Sequence, residues 1–203
     1  MTRTRTPARS RGRRLPPPRR RPARRWPAWA ALGGVALVVA LMLLAAGGSP
    51  NQPEEGPAPR FSLAATDGGQ VSLDDYRGRN VVLYFNEGVG CDACFYQMVE
   101  LEKHGDHLAD AGLTVVPVAV NPAGAVRQEM ERFGLTTPFL VDPDRRVSAA
   151  YGTIGTGHHA DLPGHSFVLV DGTGRLRWRG DYPGMFVPPD ELIASAAGAA
   201  GRS

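Results

Sequence analysis

Acidic residues are absent from the first 25 positions, which carry eleven arginines and are otherwise rich in proline. Such an arm has too little apolar surface to form a core, so residues 1–27 read as a disordered basic tail. Charge of either sign is absent from the twenty-one residues Ala28 to Gly48. At about 1.5 Å per residue this run reaches about 31 Å, enough to cross the hydrocarbon layer. Trp26 and Trp29 lie at its start, where interfacial aromatics belong, and the arginines before it keep the amino end in the cytoplasm. The run is longer than the apolar core of a cleaved signal peptide, so residues 28–48 are expected to be a single transmembrane anchor. Cysteine is missing directly after the span, which excludes a lipoprotein anchor. Residues 49–58 are a Pro-rich polar linker.

The expected location is therefore the cell membrane, with everything after the span outside the cytoplasm. The chain has 23 Lys+Arg and 20 Asp+Glu; without the eleven tail arginines, 12 basic and 20 acidic side chains remain, a net of −8. The exported part is acidic, and no nucleic-acid partner is expected. Internal repeats are absent too. Residues 59–203 have the length of one domain with a sizeable core.

Cysteine is scarcest of all. Cys91 and Cys94 stand alone, spaced C-x-x-C, between the apolar run Asn80–Phe85 and a helix-like run. A strand feeds a short loop, and the loop opens a helix at the first cysteine. Thiols at a helix N-terminus feel its partial positive charge, which stabilises the reactive thiolate. One helical turn also lets the two sulfurs close an internal disulfide. So short a bridge restricts the unfolded chain little and would be a poor staple. A zinc site would have to borrow His104 and His107. On one helix from Cys91 to Ala109, His104 is about 15 Å along the axis from Cys94, too far to share an ion. No metal and no cofactor are expected.

Punctuation and hydrophobic pattern give the remaining elements. Strands 60–64 and 70–73 flank Asp67-Gly68-Gly69, and strand 80–86 precedes helix 91–109. Strand 113–120 leads to helix 123–133, stopped by Gly134. A short strand at 138–141 and a helix at 144–151 follow. Strands 166–170 and 175–179 flank Asp171–Gly174, and helix 189–199 closes the chain. Strands alternating with helices, then a hairpin, then a helix describe an α/β fold with a mixed sheet.

Four stretches together carry a resemblance. Ala58-Pro-Arg-Phe61 through Val71–Gly78 looks like the entry hairpin of redoxins. Val81–Phe85 looks like the central strand, and Cys91-x-x-Cys94 opens the next helix. Ser166–Gly172 with Gly174–Trp178 looks like the late hairpin. Over about residues 57–199 the chain resembles the thioredoxin-fold redoxins, spanning AhpC/TSA peroxiredoxins and membrane-tethered TlpA/ResA-like thiol oxidoreductases. The resemblance implies a thioredoxin-like fold, a mixed sheet flanked by helices. The two branches differ at the site. Against the peroxiredoxin pattern P-x-x-x-T-x-x-C, Glu87 stands at the proline and Cys91 at the threonine. The peroxiredoxin arginine of the late loop is replaced by Gly164 and His165. Against W-C-x-x-C, Gly90 stands at the tryptophan. Pro163 is the candidate for the cis-proline that thioredoxin-like proteins hold beside their cysteines.

The expected function is thiol–disulfide exchange outside the cytoplasm by Cys91 and Cys94, acting on a thiol or disulfide protein partner. Cys91 would form the mixed disulfide and Cys94 would resolve it. Peroxide reduction is the alternative, with Cys94 peroxidatic and Cys91 resolving. A non-catalytic binding module on the same scaffold is the other. His165 is expected near the cysteines, either charged and stabilising a thiolate, neutral and accepting its proton, or bonded to backbone. Glu87 is a candidate proton relay, with a solvated loop acid as the plainer expectation. His158 and His159 are expected in solvent, and Met185-Phe186-Val187 in core packing or as an apolar lip.

Overall fold

The computed structural model describes residues 56–201. The expected basic tail, the span at 28–48 and the first part of the linker lie outside the described residues. Among the described residues no helix is long and apolar enough to cross a membrane. Gly56 to Ala58, assigned above to the linker, are paired: Pro57 bridges Arg175, and Ala58 N–H donates to the Gly174 carbonyl at 2.9 Å.

The elements in chain order are β1 (Ser62–Ala65), β2 (Gln70–Ser72), a 3₁₀ turn (Leu73–Tyr76) and β3 (Asn80–Asn86). Then come α1 (Asp92–Lys103), α2 (Gly105–Asp110), β4 (Leu113–Ala119), α3 (Ala123–Phe133), β5 (Leu140–Val141) and α4 (Arg146–Ala150). β6 (Ser166–Val170), β7 (Leu176–Asp181) and α5 (Pro189–Ala200) complete the domain. The seven strands form one mixed sheet in the order β2-β1-β5-β4-β3-β6-β7. β3–β4 and β4–β5 are parallel and the other pairs antiparallel. This is the expected α/β thioredoxin-like arrangement.

β3 lies at the centre because both its faces are apolar. Val82 and Tyr84 face a core formed with Phe95, Met98 and Leu101 of α1, Val126 of α3 and Leu192 and Ala196 of α5. Val81, Leu83 and Phe85 face a second core with Phe61, Leu140, Tyr151 and Val168. Burial on both faces explains why the strand reads as an unbroken apolar run. Tyr84, Phe85, Phe95, Phe139 and Phe167 are fully buried, each worth about 1.5–3 kcal/mol of transfer free energy.

The expected helix 91–109 is two helices. It breaks at His104, which ends α1 and begins α2, with Gly105 next. Glycine weakens the helix interior and allows the chain to turn there. α4 is also shorter than expected: Arg145 takes φ 58°, a left-handed conformation that cannot continue a helix. α3 ends as expected, on Gly134 at φ 68°.

Candidate active site

The site begins where β3 runs out. Asn86 turns its side chain back, and its Oδ1 accepts the Gly88 N–H at 3.0 Å. Asn121, just after β4, accepts the Val89 N–H at 2.8 Å. Gly88 and Gly90 take φ 76° and 98°, which side-chain-bearing residues seldom adopt. A Cβ on Gly88 would collide with the Asn121 carboxamide oxygen. The loop between strand and helix is thus held by two asparagines and permitted by two glycines.

That loop delivers Cys91 to the N-cap of α1, bonded to Cys94 in a disulfide with Cα atoms 5.4 Å apart. The Cys94 N–H lies 3.2 Å from Cys91 Sγ. Cys91 is half-buried, whereas Cys94 is fully buried. Of the two cysteines, Cys91 is the more accessible from solvent. Between them Asp92 points outward and pairs with Arg132 of α3, whose hydrogen bond holds the Asp92 carboxyl below its usual range. Arg132 also lies over the Phe133 ring at 4.2 Å, and Phe133 stacks on Phe95.

Beneath the pair lies a buried polar chain. Gln97 donates from Nε2 to the Val187 carbonyl at 3.0 Å, and its Oε1 accepts the Val187 N–H at 2.8 Å. Backbone donor and acceptor cannot be exchanged, so they fix which end of Gln97 is oxygen. The same oxygen faces His165 Nε2 at 3.1 Å, so Nε2 carries the proton. His165 Nδ1 is then a bare acceptor for the Tyr84 hydroxyl, 2.9 Å away. Tyr84 has one proton to give; the Cys94 carbonyl is farther, at 3.4 Å. Burial, and secondarily the Glu87 charge, push the Tyr84 phenol well above its ordinary range, so it remains a donor.

His165 is therefore bonded to two side chains rather than to backbone. Burial lowers its pKa to about 4, so it is neutral near pH 7 and supplies no imidazolium to a thiolate. Its lone pair is engaged by Tyr84. It reaches the cysteine helix through Gln97 and through Tyr84, whose hydroxyl lies 3.4 Å from the Cys94 carbonyl, and so acts as a positioning residue.

Glu87 is not the solvated loop acid expected: it is 8% exposed. Its Oε1 is buried with no hydrogen-bond partner, and Oε2 lies 3.7 Å from His159 Nε2. A Cβ on Gly157 would lie 3.0 Å from that Oε1 and 2.8 Å from Gly164 Cα, so the Gly152–Gly157 loop packs tightly here. Pro163 is buried and bridges Ile154 in this same neighbourhood. The cis-proline expectation fails: among the described residues every peptide bond is trans. Pro163 stands three residues before β6 starts at Ser166 and is used instead to pair the preceding loop. Met185 and Val187 are buried, while Phe186 between them is 46% exposed.

Tyr84, Gln97, Asn121 and Arg132 were not singled out from sequence. Gln97 left a signal: it is a polar residue three after Cys94 and four before Leu101, inside the apolar stripe of α1. Asn121 and Arg132 left none, because their roles depend on contacts across the fold.

Known proteins resemble this chain in sequence and in fold. A Mycobacterium tuberculosis protein whose name places it among the peroxiredoxins is 38% identical over 98 residues, 48% of this chain and 62% of the relative. The chain thus spans less than two thirds of that relative. Peroxiredoxin Bcp of Escherichia coli is 32% identical over 123 residues, 59% of this chain and 79% of the relative. Thiol-disulfide oxidoreductase ResA of Bacillus subtilis is 32% identical over 99 residues, 48% of this chain and 55% of the relative. The structure of Mycobacterium tuberculosis AhpC superposes with a TM-score of 0.64 at 17% identity, covering 74% of this chain and 93% of that one. That likeness concerns the fold. The sequence pattern of the AhpC/TSA family matches residues 55–179, more than half of the chain, and the chain belongs to that family.

Proposed function

We propose that this chain is a thiol–disulfide oxidoreductase, anchored in the cell membrane by residues 28–48 and working outside the cytoplasm through Cys91 and Cys94. The observation that carries the chemistry is the unequal burial of the two cysteines at one helix N-terminus. In the reduced protein the Cys91 thiolate is favoured by the α1 N-terminus and the Cys94 N–H. It attacks a partner's disulfide. A Cys91–partner S–S bond forms, the partner's S–S bond breaks, and one partner sulfur leaves and takes up a proton. Cys94, deprotonated, then attacks Cys91 Sγ. The internal disulfide forms, and the second partner thiol is released with the proton that Cys94 gave up. The partner is reduced by two electrons and the dithiol is oxidised by two. Run backwards, the same steps oxidise a dithiol partner.

Trapping tests the division of labour. With Cys94→Ser, Cys91 should hold a partner or small thiol as a stable mixed disulfide; Cys91→Ser should trap less. Equal trapping removes the assignment, and preferential trapping through Cys94 reverses it. The location rests on the arginine-rich arm before an uncharged span. A tag at the carboxyl end should be reachable from outside intact cells and one at the amino end should not. Protection of the carboxyl-end tag refutes the location.

Membership in the AhpC/TSA family favours a second reading, peroxide reduction. Cys94 would attack the peroxide O–O bond, becoming a sulfenic acid as the alcohol or water leaves. Cys91 would displace water from it to give the same disulfide. Full burial of Cys94 in the oxidised form makes this the weaker reading, since the peroxide has to reach that sulfur.

A further inference from the structure

We propose that His104, His107 and Asp190 form a binding site for a zinc-class divalent ion where α1, α2 and α5 meet. The inference is independent of the thiol chemistry. The break at His104 puts that residue at the end of α1 and His107 one turn into α2. Their rings meet edge to face with centroids 5.6 Å apart. Asp190, from the first turn of α5, brings its Oδ1 to 3.8 Å from His107 Nδ1. One ligand atom from each of the three lies within 4.8 Å of the others. Residues more than eighty positions apart in sequence are thus gathered at one point on the surface.

His104 is already set for the task. Its Nδ1 lies 2.8 Å from the Glu100 carbonyl oxygen, which can only accept, so Nδ1 carries the proton. The lone pair is left on Nε2. A backbone carbonyl holding the second ring nitrogen is how metal-bound imidazoles are oriented. Two imidazole nitrogens and one carboxylate oxygen suit zinc and its first-row neighbours, not calcium or magnesium, which take oxygen ligands. Ligand atoms about 2.0–2.1 Å from a tetrahedral ion sit about 3.4 Å apart, so the three must close slightly. His107 and Asp190 are exposed, while half-buried His104 is the fixed point toward which they close. Solvent reaches the open side and supplies the fourth ligand. A His107–Asp190 ion pair alone would account for those two residues but gives His104 Nε2 no role.

The ion would tie the first turn of α5 to the α1–α2 corner. Gln97 already binds the Val187 backbone just before α5, so the metal adds a second clasp between the same two segments.

The test uses the full-length chain without a histidine tag, oxidised so that Cys91 and Cys94 cannot bind metal. Zinc chloride is titrated calorimetrically, and thermal unfolding is followed with and without zinc. Wild type should bind one equivalent saturably and unfold at a higher temperature with zinc. His107→Gln and Asp190→Asn, both at exposed positions, should keep the zinc-free unfolding temperature. Each should lower zinc affinity by at least about tenfold and remove the zinc-dependent rise. A His158→Gln/His159→Gln variant should bind as wild type does. Absence of saturable binding overturns the proposal. So does binding unchanged in His107→Gln or Asp190→Asn, or binding lost with His158→Gln/His159→Gln, which would move the site toward Glu87.

Discussion

The side chain of Gln97 clasps the backbone of Val187 from both sides, donating to its carbonyl at 3.0 Å and accepting its N–H at 2.8 Å. The clasp joins the helix that carries the cysteines to the segment entering α5. It also orients His165, whose Nε2–H reaches the same Gln97 oxygen.

Replacing Gln97 by methionine removes this junction while keeping most of the volume. Two buried polar groups then lack a partner, the Val187 N–H and the Val187 carbonyl, and His165 Nε2–H keeps only the Tyr84 oxygen at 3.2 Å. Each orphaned group costs about 1–3 kcal/mol. Denaturant unfolding of the oxidised chain should show a loss of at least about 2 kcal/mol for Gln97→Met. A change within about 0.5 kcal/mol would mean that the clasp contributes little.

His165 makes stability depend on pH with a definite sign. Burial lowers its folded pKa to about 4, below the unfolded value near 6.5. Between those values the unfolded chain binds a proton that the folded chain refuses, so stability falls as pH falls from about 6.5 to about 4. The contribution is complete above about pH 6.5, with an upper bound of about 3 kcal/mol. His165→Asn should be less stable at pH 7, and the gap to wild type should narrow as the pH is lowered to 4. Unfolding free energies measured across this range check it. A constant gap would contradict the buried, neutral histidine.

Gly88 and Asn121 should be coupled. Gly88→Ala places a side chain at φ 76° and drives it into the Asn121 carboxamide. The left-handed conformation alone costs about 1–2 kcal/mol. In an Asn121→Ala background the collision is gone and only that backbone cost remains. A double-mutant cycle should therefore give a coupling of at least about 0.5 kcal/mol, with the first substitution costing more in the wild-type background. Additive costs would show that Asn121 does not confine the loop.

Much of this architecture can be read from local pattern. The two-faced apolar run of β3 announces a central buried strand, and C-x-x-C after a glycine-rich loop announces a helix N-terminus carrying thiols. Gly134 marks the end of α3 as its chemistry requires. Expectations that depended on distant contacts fared worse. Glu87 reads as a loop acid because nothing nearby in sequence tells that the Gly152–Gly157 loop folds over it. Pro163 reads as a cis-proline by position, but its partner is Ile154, and no local signal specifies that bridge. His165 could be placed near the cysteines from the resemblance; its protonation could not, because that depends on how Val187 orients Gln97. The helix break at His104 is not legible because α1 and α2 continue one amphipathic pattern through Gly105.

On the proposed function, the dithiol exchanges with protein disulfides rather than reducing peroxide. The peroxiredoxin threonine and late-loop arginine positions hold Cys91 and Gly164 or His165. His165 is buried, neutral and already bonded to Tyr84 and Gln97, so it offers no free donor to a developing oxyanion. The most direct measurement is stopped-flow mixing of the reduced full-length chain, in parallel, with an oxidised model protein and with hydrogen peroxide, with sulfenic-acid trapping in the second arm. Rapid formation of the Cys91–Cys94 disulfide is expected with the protein disulfide, and peroxide consumption no faster than by an ordinary thiol of low pKa. Rapid, saturable oxidation of Cys94 at micromolar peroxide, with slow reduction of the model protein, would contradict the account and install peroxide reduction in its place.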